Sequence, residues 1–390
     1  MNTAEYSLCN MTIEAGNDGR LASNLSTTRM RINLALPGLA GLAGGMRVAA
    51  QYAAHLSSKG HLVTLLVRRP DQALSLPKLM WRRLGLGSQI PPLPDQAGHF
   101  EGLGLPVVHL DENRRLRHNQ VPDADLIIST FWTTAEWAGQ LPRSKGRHVH
   151  FIQDYEFFAS RARSRVKAVY ERDNARIVVA NWLQQALREH HGKTSVVVPN
   201  GVDTARFRAH DRSKGQSGRV GFLYSRHPRK NVQLAIQALE RARAKDSSLQ
   251  ATSFGVNPRP QDMPEWIDYE QRPSQDRIPQ IYASCDLWLF PSLSEGFGLP
   301  LLEAMASGTP VLAARAGAAP DLIDGTNGWL VEADPEVMAR SLLHFLAQSP
   351  EQWLAASRAA RHTAEAHDVA RASQTFEDVL LSLIDHPQSI

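Results

Sequence analysis

Cysteine is scarce in this sequence, and long apolar runs are missing from it. The 390 residues include only Cys9 and Cys285, which excludes a small disulfide-bonded fold and favours a reducing compartment. The most apolar stretch, residues 32–50, is interrupted by Pro37, by glycines and by Arg47. Because a membrane-spanning helix needs about 20 consecutive apolar residues, the sequence predicts none.

Net charge is also small. Lysine and arginine number 43 and aspartate and glutamate 39, which gives a formal net charge of +4 at pH 7. This excess fits a phosphate-bearing ligand or an anionic membrane surface, but it is too small to predict a nucleic-acid partner. Residues 1–29 are polar, with no apolar run, and predict a disordered leader and not a signal peptide. We therefore expect a cytoplasmic protein.

Short apolar segments alternate with helical segments twice along the chain. The predicted strands are 32–38, 61–67, 123–130, 147–154, 175–181 and 195–203 in the first half, and 219–225, 249–255, 266–271, 287–292, 309–315 and 328–331 in the second. Strands that alternate with helices form parallel, doubly wound sheets. The sequence therefore predicts an α/β fold with domains at 30–207 and 208–367, separated by a polar linker at 209–218.

Two glutamates, Glu295 and Glu303, lie where a buried strand passes through a glycine-containing loop into a helix. Gly298 permits the tight loop, and Pro300 suits the first turn of a helix predicted to end at Ser307. Glu295 then lies on the loop and Glu303 about one turn into the helix, so both can face an anionic ligand over the helix N-terminus. The alternative is a solvated loop acid beside an ordinary helix-start acid.

The segment EGFGLPLLE that holds this pair resembles the E-x7-E signature of the retaining glycosyltransferases of family 4. Two other segments also resemble that family: VVVPNGVDTARF (196–207), between the domains, and the loop FLYSRHPRKN (222–231). The resemblance implies the GT-B fold, with two facing Rossmann-like domains and a C-terminal crossover helix within 368–390. The first domain would bind the acceptor and the second the nucleotide-sugar donor, with Glu295 beside the donor sugar and Glu303 on the ribose.

The resemblance also implies a reaction. The family transfers a sugar with retention of configuration, and the leaving phosphate itself deprotonates the acceptor, so no side-chain base is required. Fixed cations near the departing nucleoside diphosphate lower the barrier, and in the loop 222–231 we expect Arg226 and Lys230 to supply them, with Arg229 in their place if the register differs. The alternative is a basic turn that solvates a helix start, although basic residues there oppose the helix dipole and so favour a bound anion.

Further site residues follow from the same resemblance. Gly44 and Gly45 resemble the loop with which the family approaches the diphosphate and acceptor, although a flexible turn has the same composition. HFIQDYE (150–156) resembles a stretch of members that transfer rhamnose or related sugars in polysaccharide assembly, which implies Asp154 as an acceptor-contacting, catalytic candidate and His150 as part of the site wall. Both could equally be strand-end polar groups bonded to backbone amides. The other predicted donor contacts are Phe297, Gly298, Leu299 and Gly255.

Two patterns have the composition of metal sites. Asp123 and Asp125 form a D-x-D pair, but they precede a strand, as Asp286 does, so strand-start capping explains them. His148 and His150 lie on one face of a predicted strand, but no third ligand is evident. We therefore expect no metal cofactor.

The segment PKLMWRRLGLG (77–87) alternates basic with bulky apolar residues. It predicts either contact with an anionic membrane that carries a lipid-linked acceptor, or a surface helix that packs its apolar side inward. We expect a retaining hexosyltransferase that acts on a saccharide or lipid-linked acceptor, cytoplasmic or peripheral at the inner face of the cell membrane. Two other classes fit the same architecture: a nucleotide-sugar epimerase and a non-catalytic nucleotide-sugar binding protein.

Overall fold

The structure of the protein, a computed structural model, describes residues 29–39, 44–68, 98–110, 118–158, 162–208, 212–215 and 218–385. The predicted leader up to residue 28 and the segment 77–87 lie outside the described residues. Within the described ranges, the helices are too short or too polar to cross a membrane.

The first half of the chain forms a seven-stranded parallel sheet in the order β3-β2-β1-β4-β5-β6-β7. Its strands are β1 Arg31–Leu36, β2 Leu62–Arg68, β3 Val107–Leu110, β4 Leu126–Ser129, β5 Arg147–Ile152, β6 Ala175–Val178 and β7 Val196–Val197. The described helices of this half are α1 Gly44–Ser58, α2 Trp132–Ala138, α3 Arg163–Tyr170 and α4 Asn181–His191. The strand order reverses between β1 and β4, which is where ligands bind in open parallel sheets.

The second half repeats this architecture with a six-stranded parallel sheet in the order β10-β9-β8-β11-β12-β13. Its strands are β8 Arg219–Leu223, β9 Gln250–Gly255, β10 Ile267–Gln271, β11 Leu287–Phe290, β12 Val311–Ala314 and β13 Gly328–Val331. The helices are α5 Val232–Lys245, α6 Arg277–Ala283, α7 Leu299–Ala306, α8 Ala319–Leu322, α9 Pro335–Leu346 and α10 Pro350–Ala366. Here the strand order reverses between β8 and β11.

The two doubly wound parallel sheets of the sequence prediction are confirmed. Individual strands differ from it at their ends and edges. The segment predicted at 195–203 is a strand only over Val196–Val197, because Pro199 follows and has no amide hydrogen for a ladder. The strand β3 has no counterpart among the predicted strands, since it lies at the sheet edge and only Leu110 in it is buried. The limits of the two domains remain predictions.

The last helix, α11 (Val369–Asp385), returns to the first half and packs on α1, which confirms the crossover helix. The ring of Phe376 stacks on that of Tyr52, with centroids 4.4 Å apart. Beside them, the Glu377 carboxylate lies 2.9 Å from Nε2 of His61, which follows α1. Aromatic packing and a buried hydrogen bond therefore hold the end of the chain against the first half.

Strand β5 carries two histidines whose rings lie side by side, His148 partly buried and His150 fully buried. The ring centroids of His148 and His150 are 6.4 Å apart, and His148 Nε2 lies 2.8 Å from the Ser129 hydroxyl. Burial, reinforced by the charges of Arg172 and Arg176, lowers the pKa of His148 to about 4. Burial also lowers the pKa of His150 well below its ordinary value. Both rings are therefore neutral at neutral pH, and in the described part of the chain neither ring nitrogen of His150 has a hydrogen-bond partner.

Because the pKa values of these two histidines are lowered, we expect the free energy of unfolding to decrease in mild acid. Their ordinary pKa is 6.5, so below that pH the unfolded chain binds protons that the folded chain does not bind. Above about pH 6.5 these histidines do not reduce the free energy of unfolding. As the pH falls from there towards 4, that free energy decreases by up to about 1.4 kcal/mol per pH unit for each histidine. The variant His150→Phe removes one such group, so its melting temperature should fall less than that of the wild type between about pH 7 and about pH 5.

The matched control is His344→Gln, which changes an exposed histidine of α9 and should follow the wild type across the same range. A His150→Phe protein that keeps the full acid sensitivity of the wild type would contradict this account of the buried histidines.

Candidate active site

A cavity of about 710 Å³ lies between the carboxyl ends of the two sheets. It is lined on one side by residues that follow strands of the first sheet, Pro37, Thr130 and Gln153, and on the other by residues that follow strands of the second, Ser225, Val256 and Ser294. The strands at which the order reverses, β1 and β4 in the first sheet and β8 and β11 in the second, all have their carboxyl ends at this cavity. This is the position in which open parallel sheets bind their ligands.

The loop between β11 and α7 reaches across to the first half of the chain. Gly298 in this loop has a φ of +105°, a backbone conformation that favours glycine. At Gly296, an added Cβ would lie 1.7 Å from the carbonyl oxygen of Gln153. The carbonyl oxygen of Gly296 also accepts a hydrogen bond from the indole of Trp182 at 2.8 Å. Any larger residue at Gly296 would therefore force the two halves apart.

Glu295 lies on the same loop and forms an ion pair with Lys230. The Lys230 Nζ atom is 2.5 Å from Glu295 Oε1, and the Ser292 hydroxyl donates to the same oxygen at 2.7 Å. Lys230 is the last residue of a short 3₁₀ turn, Pro228–Lys230, that precedes α5. Both charged groups line the cavity, so an ammonium and a carboxylate can meet the same ligand.

The Lys230–Glu295 pair lies within the second half, whereas a second ion pair joins the second half to the first. Arg229 of the 3₁₀ turn donates to Asp154, which follows β5, with 2.7 Å between Nη1 and Oδ2. Arg226, in contrast, is exposed and does not line the cavity. Of the predicted cations, the structure thus brings Arg229 and Lys230 into the cavity wall and leaves Arg226 outside it, so the leaving-group role is proposed for Arg229 and Lys230. The reason is that the turn begins only after His227, so Arg226 still belongs to the exposed segment that follows β8.

Glu303 lies inside the second half, on α7, with a side chain that is only 6% exposed. One of its oxygens forms an ion pair with Arg47, the fourth residue of α1, and the other accepts a hydrogen bond from the Tyr282 hydroxyl at 2.8 Å. The Glu303 charge raises the pKa of Arg47, and burial followed by the same charge raises the pKa of Tyr282 well above its ordinary value. Arg47 therefore stays charged, and Tyr282 stays a hydrogen-bond donor.

Two charged residues of the cavity wall are missing from the site that the sequence predicts. Arg47 is one, and its signal in the sequence is a cation in the first turn of a helix, where it opposes the helix dipole. Glu156 is the other: it accepts a hydrogen bond from the Trp132 amide at 2.7 Å, and burial raises its pKa well above its ordinary value. Glu156 lies in the same QDYE stretch as Asp154, so the feature of the sequence that points to Asp154 also points to Glu156.

The other predicted site residues divide into two groups. Those that line the cavity are Gly44, Gly45, Phe297, Gly298 and Leu299. His150 and Gly255 do not line it. His150 is buried with its ring centroid 5.6 Å from that of Tyr170, and at Gly255 an added Cβ would lie 2.4 Å from the Tyr224 carbonyl oxygen. The structure places both residues in the packed interior, and their predicted ligand contacts remain predictions.

Asp123 and Asp125 precede β4, at the end of the sheet opposite to the cavity. Asp125 forms an ion pair with Arg31 at 2.7 Å, and Asp123 forms one with Lys145 at 2.8 Å. These carboxylates therefore hold the beginnings of neighbouring strands together. Across the described ranges there is no group of three or more histidine, cysteine, aspartate or glutamate side chains placed to hold a metal ion.

Known families match the chain in two consecutive parts. Residues 43–206 match the family described as Glycosyltransferase Family 4, and residues 217–348 match Glycosyl transferases group 1. The two matches meet between β7 and β8, where the first sheet ends and the second begins.

Individual relatives are similar over stretches of different length. The D-inositol 3-phosphate glycosyltransferase of Streptomyces griseus subsp. griseus is 39% identical over 116 residues, which are 29% of this chain and 24% of that protein. The Nocardia farcinica protein of the same name is 28% identical over 368 residues, which are 76% of this chain and 75% of that protein. A sulfoquinovosyl transferase of Arabidopsis thaliana is 47% identical over 77 residues, or 18% of this chain and 15% of its own length. The matched stretch thus spans a quarter or less of the Streptomyces and Arabidopsis proteins.

Solved structures share the fold over nearly the whole chain. HepE of Anabaena in complex with UDP and glucose has a TM-score of 0.69 at 18% identity and covers 91% of this chain and 100% of its own. Sucrose-phosphate synthase from Thermosynechococcus elongatus has a TM-score of 0.69 at 17% identity and covers 92% and 100%. By these matches and by the arrangement of its two sheets, the chain carries a Glycosyltransferase Family 4 domain and a Glycosyl transferases group 1 domain in the GT-B fold.

Proposed function

We propose that the protein moves a hexose or deoxyhexose from a nucleotide-sugar donor to a saccharide or lipid-linked acceptor, with retention of configuration. The observation that carries this proposal is the cavity between the sheets, where Arg229, Lys230, Glu295 and Glu303 of the second half meet Asp154 of the first. The two domain families and the solved complexes of HepE with UDP and with UDP-glucose support it.

The nucleotide is proposed to bind along the second half. Each oxygen of the Glu303 carboxylate already accepts one hydrogen bond. A carboxylate has about four lone-pair directions, so it can accept two more hydrogen bonds, one from each ribose hydroxyl. The diphosphate would then lie over the N-terminus of α7, where the helix dipole favours anions. Gly44 and Gly45, which line the opposite wall, leave room for it.

Arg229 and Lys230 are proposed to stabilise the charge that develops on the leaving diphosphate. Each now faces one carboxylate, Asp154 or Glu295, and a diphosphate would add a larger negative charge to the same space. Cations placed in advance at a leaving group lower the barrier without reorganisation. In this mechanism the leaving phosphate deprotonates the acceptor on the same face of the sugar, which gives retention without a side-chain base.

The acceptor is proposed to bind against the first half, where Thr130, Phe131 and Asp154 line the cavity. The resemblance of HFIQDYE to rhamnose-transferring members supports a role in polysaccharide assembly. Relatives are named for D-inositol 3-phosphate and for sulfoquinovose. Contact with the inner face of the cell membrane belongs to the same proposal, and its candidate segment, 77–87, lies outside the described residues.

The experiment that tests the function is a panel of labelled nucleotide sugars, offered with and without a lipid-linked saccharide extract. A transferase forms a new saccharide only when the extract is present. A changed nucleotide sugar without any acceptor would instead identify an epimerase. Binding without turnover of any donor would identify a non-catalytic binding protein.

The first prediction concerns the leaving-group cations. Arg229→Ala and Lys230→Ala should each lower kcat by roughly a hundredfold or more, while the KM for the donor rises less, because these charges matter most in the transition state. Both side chains are partly exposed, at 31% and 28%, so the free energy of unfolding should change by no more than about 1 kcal/mol. Steady-state kinetics and thermal unfolding measure the two effects.

Arg226→Ala is the matched control, since it removes a cation from the same segment but outside the cavity; its kcat should stay within about threefold of the wild type. A folded Arg229→Ala/Lys230→Ala double variant with near wild-type turnover at saturating donor would rule out the assignment.

The second prediction concerns the ribose. Glu303→Gln replaces charge-assisted hydrogen bonds, each worth about 1.5 to 3 kcal/mol, by weaker neutral ones, so calorimetry should show at least a tenfold loss of UDP affinity. Glu377→Gln, which changes a buried acid of α11 outside the cavity, is the control and should leave UDP affinity unchanged. Equal UDP affinity of Glu303→Gln and wild type would show that Glu303 is only a structural acid of α7.

The third prediction concerns metal. Turnover should survive dialysis against a chelator, because the proposed charge stabilisation comes from Arg229 and Lys230 and not from a divalent cation. Activity that is lost on dialysis and restored by magnesium or manganese would contradict this and would assign part of the charge stabilisation to a divalent cation.

A further inference from the structure

The two halves face each other across a cleft that contains the cavity. The Arg47–Glu303 ion pair is the more buried of the two described ion pairs that line the cavity and cross this cleft, the other being Arg229–Asp154. Arg47 comes from α1 of the first half and Glu303 from α7 of the second, and their side chains are 25% and 6% exposed. Charges this far from water need a counter-charge, and removal of one partner leaves the other uncompensated. The acid proposed to bind the donor is therefore held by a cation from the opposite half.

The geometry points to Arg47 as a positioning residue of the donor site: it holds the Glu303 carboxylate in the orientation that the ribose hydroxyls require. This inference rests on the proposed function, because it gives Arg47 a task only if Glu303 binds a ribose. Arg47 and the Tyr282 hydroxyl each donate to a different oxygen of Glu303. The carboxylate is thereby fixed at both oxygens, and two of its about four lone-pair directions remain for the ligand.

A consequence is that ribose recognition depends on closure of the cleft. Because the two partners belong to different halves, the ion pair exists only while the halves are in contact as in this structure. When the halves separate, Arg47 moves away from Glu303, and the carboxylate is then oriented by Tyr282 alone among the contacts described here. A donor would accordingly find the ordered acid only in the closed cleft.

The competing possibility is that Arg47 leaves Glu303 and binds the diphosphate directly. It lies in the same turn of α1 as Gly44 and Gly45, which also line the cavity. The two roles differ in what they do to the ribose. A positioning residue changes the preference for a complete ribose, whereas a phosphate-binding residue weakens all nucleoside diphosphates by the same factor.

The test compares UDP with 2′-deoxy-UDP by calorimetry, with ADP and 2′-deoxy-ADP as a second pair of probes. Wild-type protein should prefer the ribonucleotide by about tenfold or more, the typical effect of one hydrogen bond to a charged group. In Arg47→Met this preference should shrink to about threefold or less, and Arg47→Lys should restore part of it, since lysine keeps the charge. Arg188→Met, an exposed arginine of α4, is the control and should keep the full preference.

A second variant covers the case in which Arg47→Met fails to fold because Glu303 is left uncompensated. Arg47→Met/Glu303→Gln carries no buried unpaired charge, and it should bind UDP within about twofold of Glu303→Gln alone, because two residues that act through one contact are not additive. An equal loss of both nucleotides in Arg47→Met, or a further large loss in the double variant, would overturn the inference in favour of direct phosphate binding. Wild-type protein that binds neither UDP nor ADP would remove the proposed nucleotide site itself, which is a separate result.

Discussion

The contact of opposite charges across the cleft is the interaction on which the arrangement of the site depends. Arg47 and Glu303 meet from different halves, as do Asp154 and Arg229. Each pair brings together the carboxyl ends of two sheets that are far apart in sequence. The Arg47–Glu303 pair loses much solvation energy on burial, and the Asp154–Arg229 pair is partly exposed to solvent, so the net contribution of either pair to stability is small. Their effect is to fix which face of the second half lies against which face of the first.

Uncharged contacts make this arrangement possible. The loop of the second half approaches Gln153 so closely that only glycine fits at Gly296, and the crossover helix ties the chain end to α1 through Phe376 and Tyr52. The apolar core is continuous across both halves. The cavity is therefore a space left between two surfaces that touch around it, and its charged groups face one another over a few ångströms.

The candidate site could be predicted from the sequence wherever a side chain's position follows from local structure. Glu295 and Glu303 lie in the cavity wall because a strand, a glycine loop and a helix follow each other there. Arg226 and Arg229 could not be told apart in this way, since a 3₁₀ turn over Pro228–Lys230 decides which basic residue turns inward. Short turns of this kind depend on the contacts around them more than on residue preference.

The sequence by itself determined the alternation of buried strands and helices, and with it two parallel sheets whose strands end at one common edge. It did so because the period of apolar residues and the glycines and prolines at element ends act over a few residues. Only the tertiary structure decided that Arg47 pairs with Glu303, 256 positions later, and that His150 lies in the core and not in the site wall. Those outcomes depend on how the two sheets pack against each other, and no local pattern in the chain encodes the distance between them.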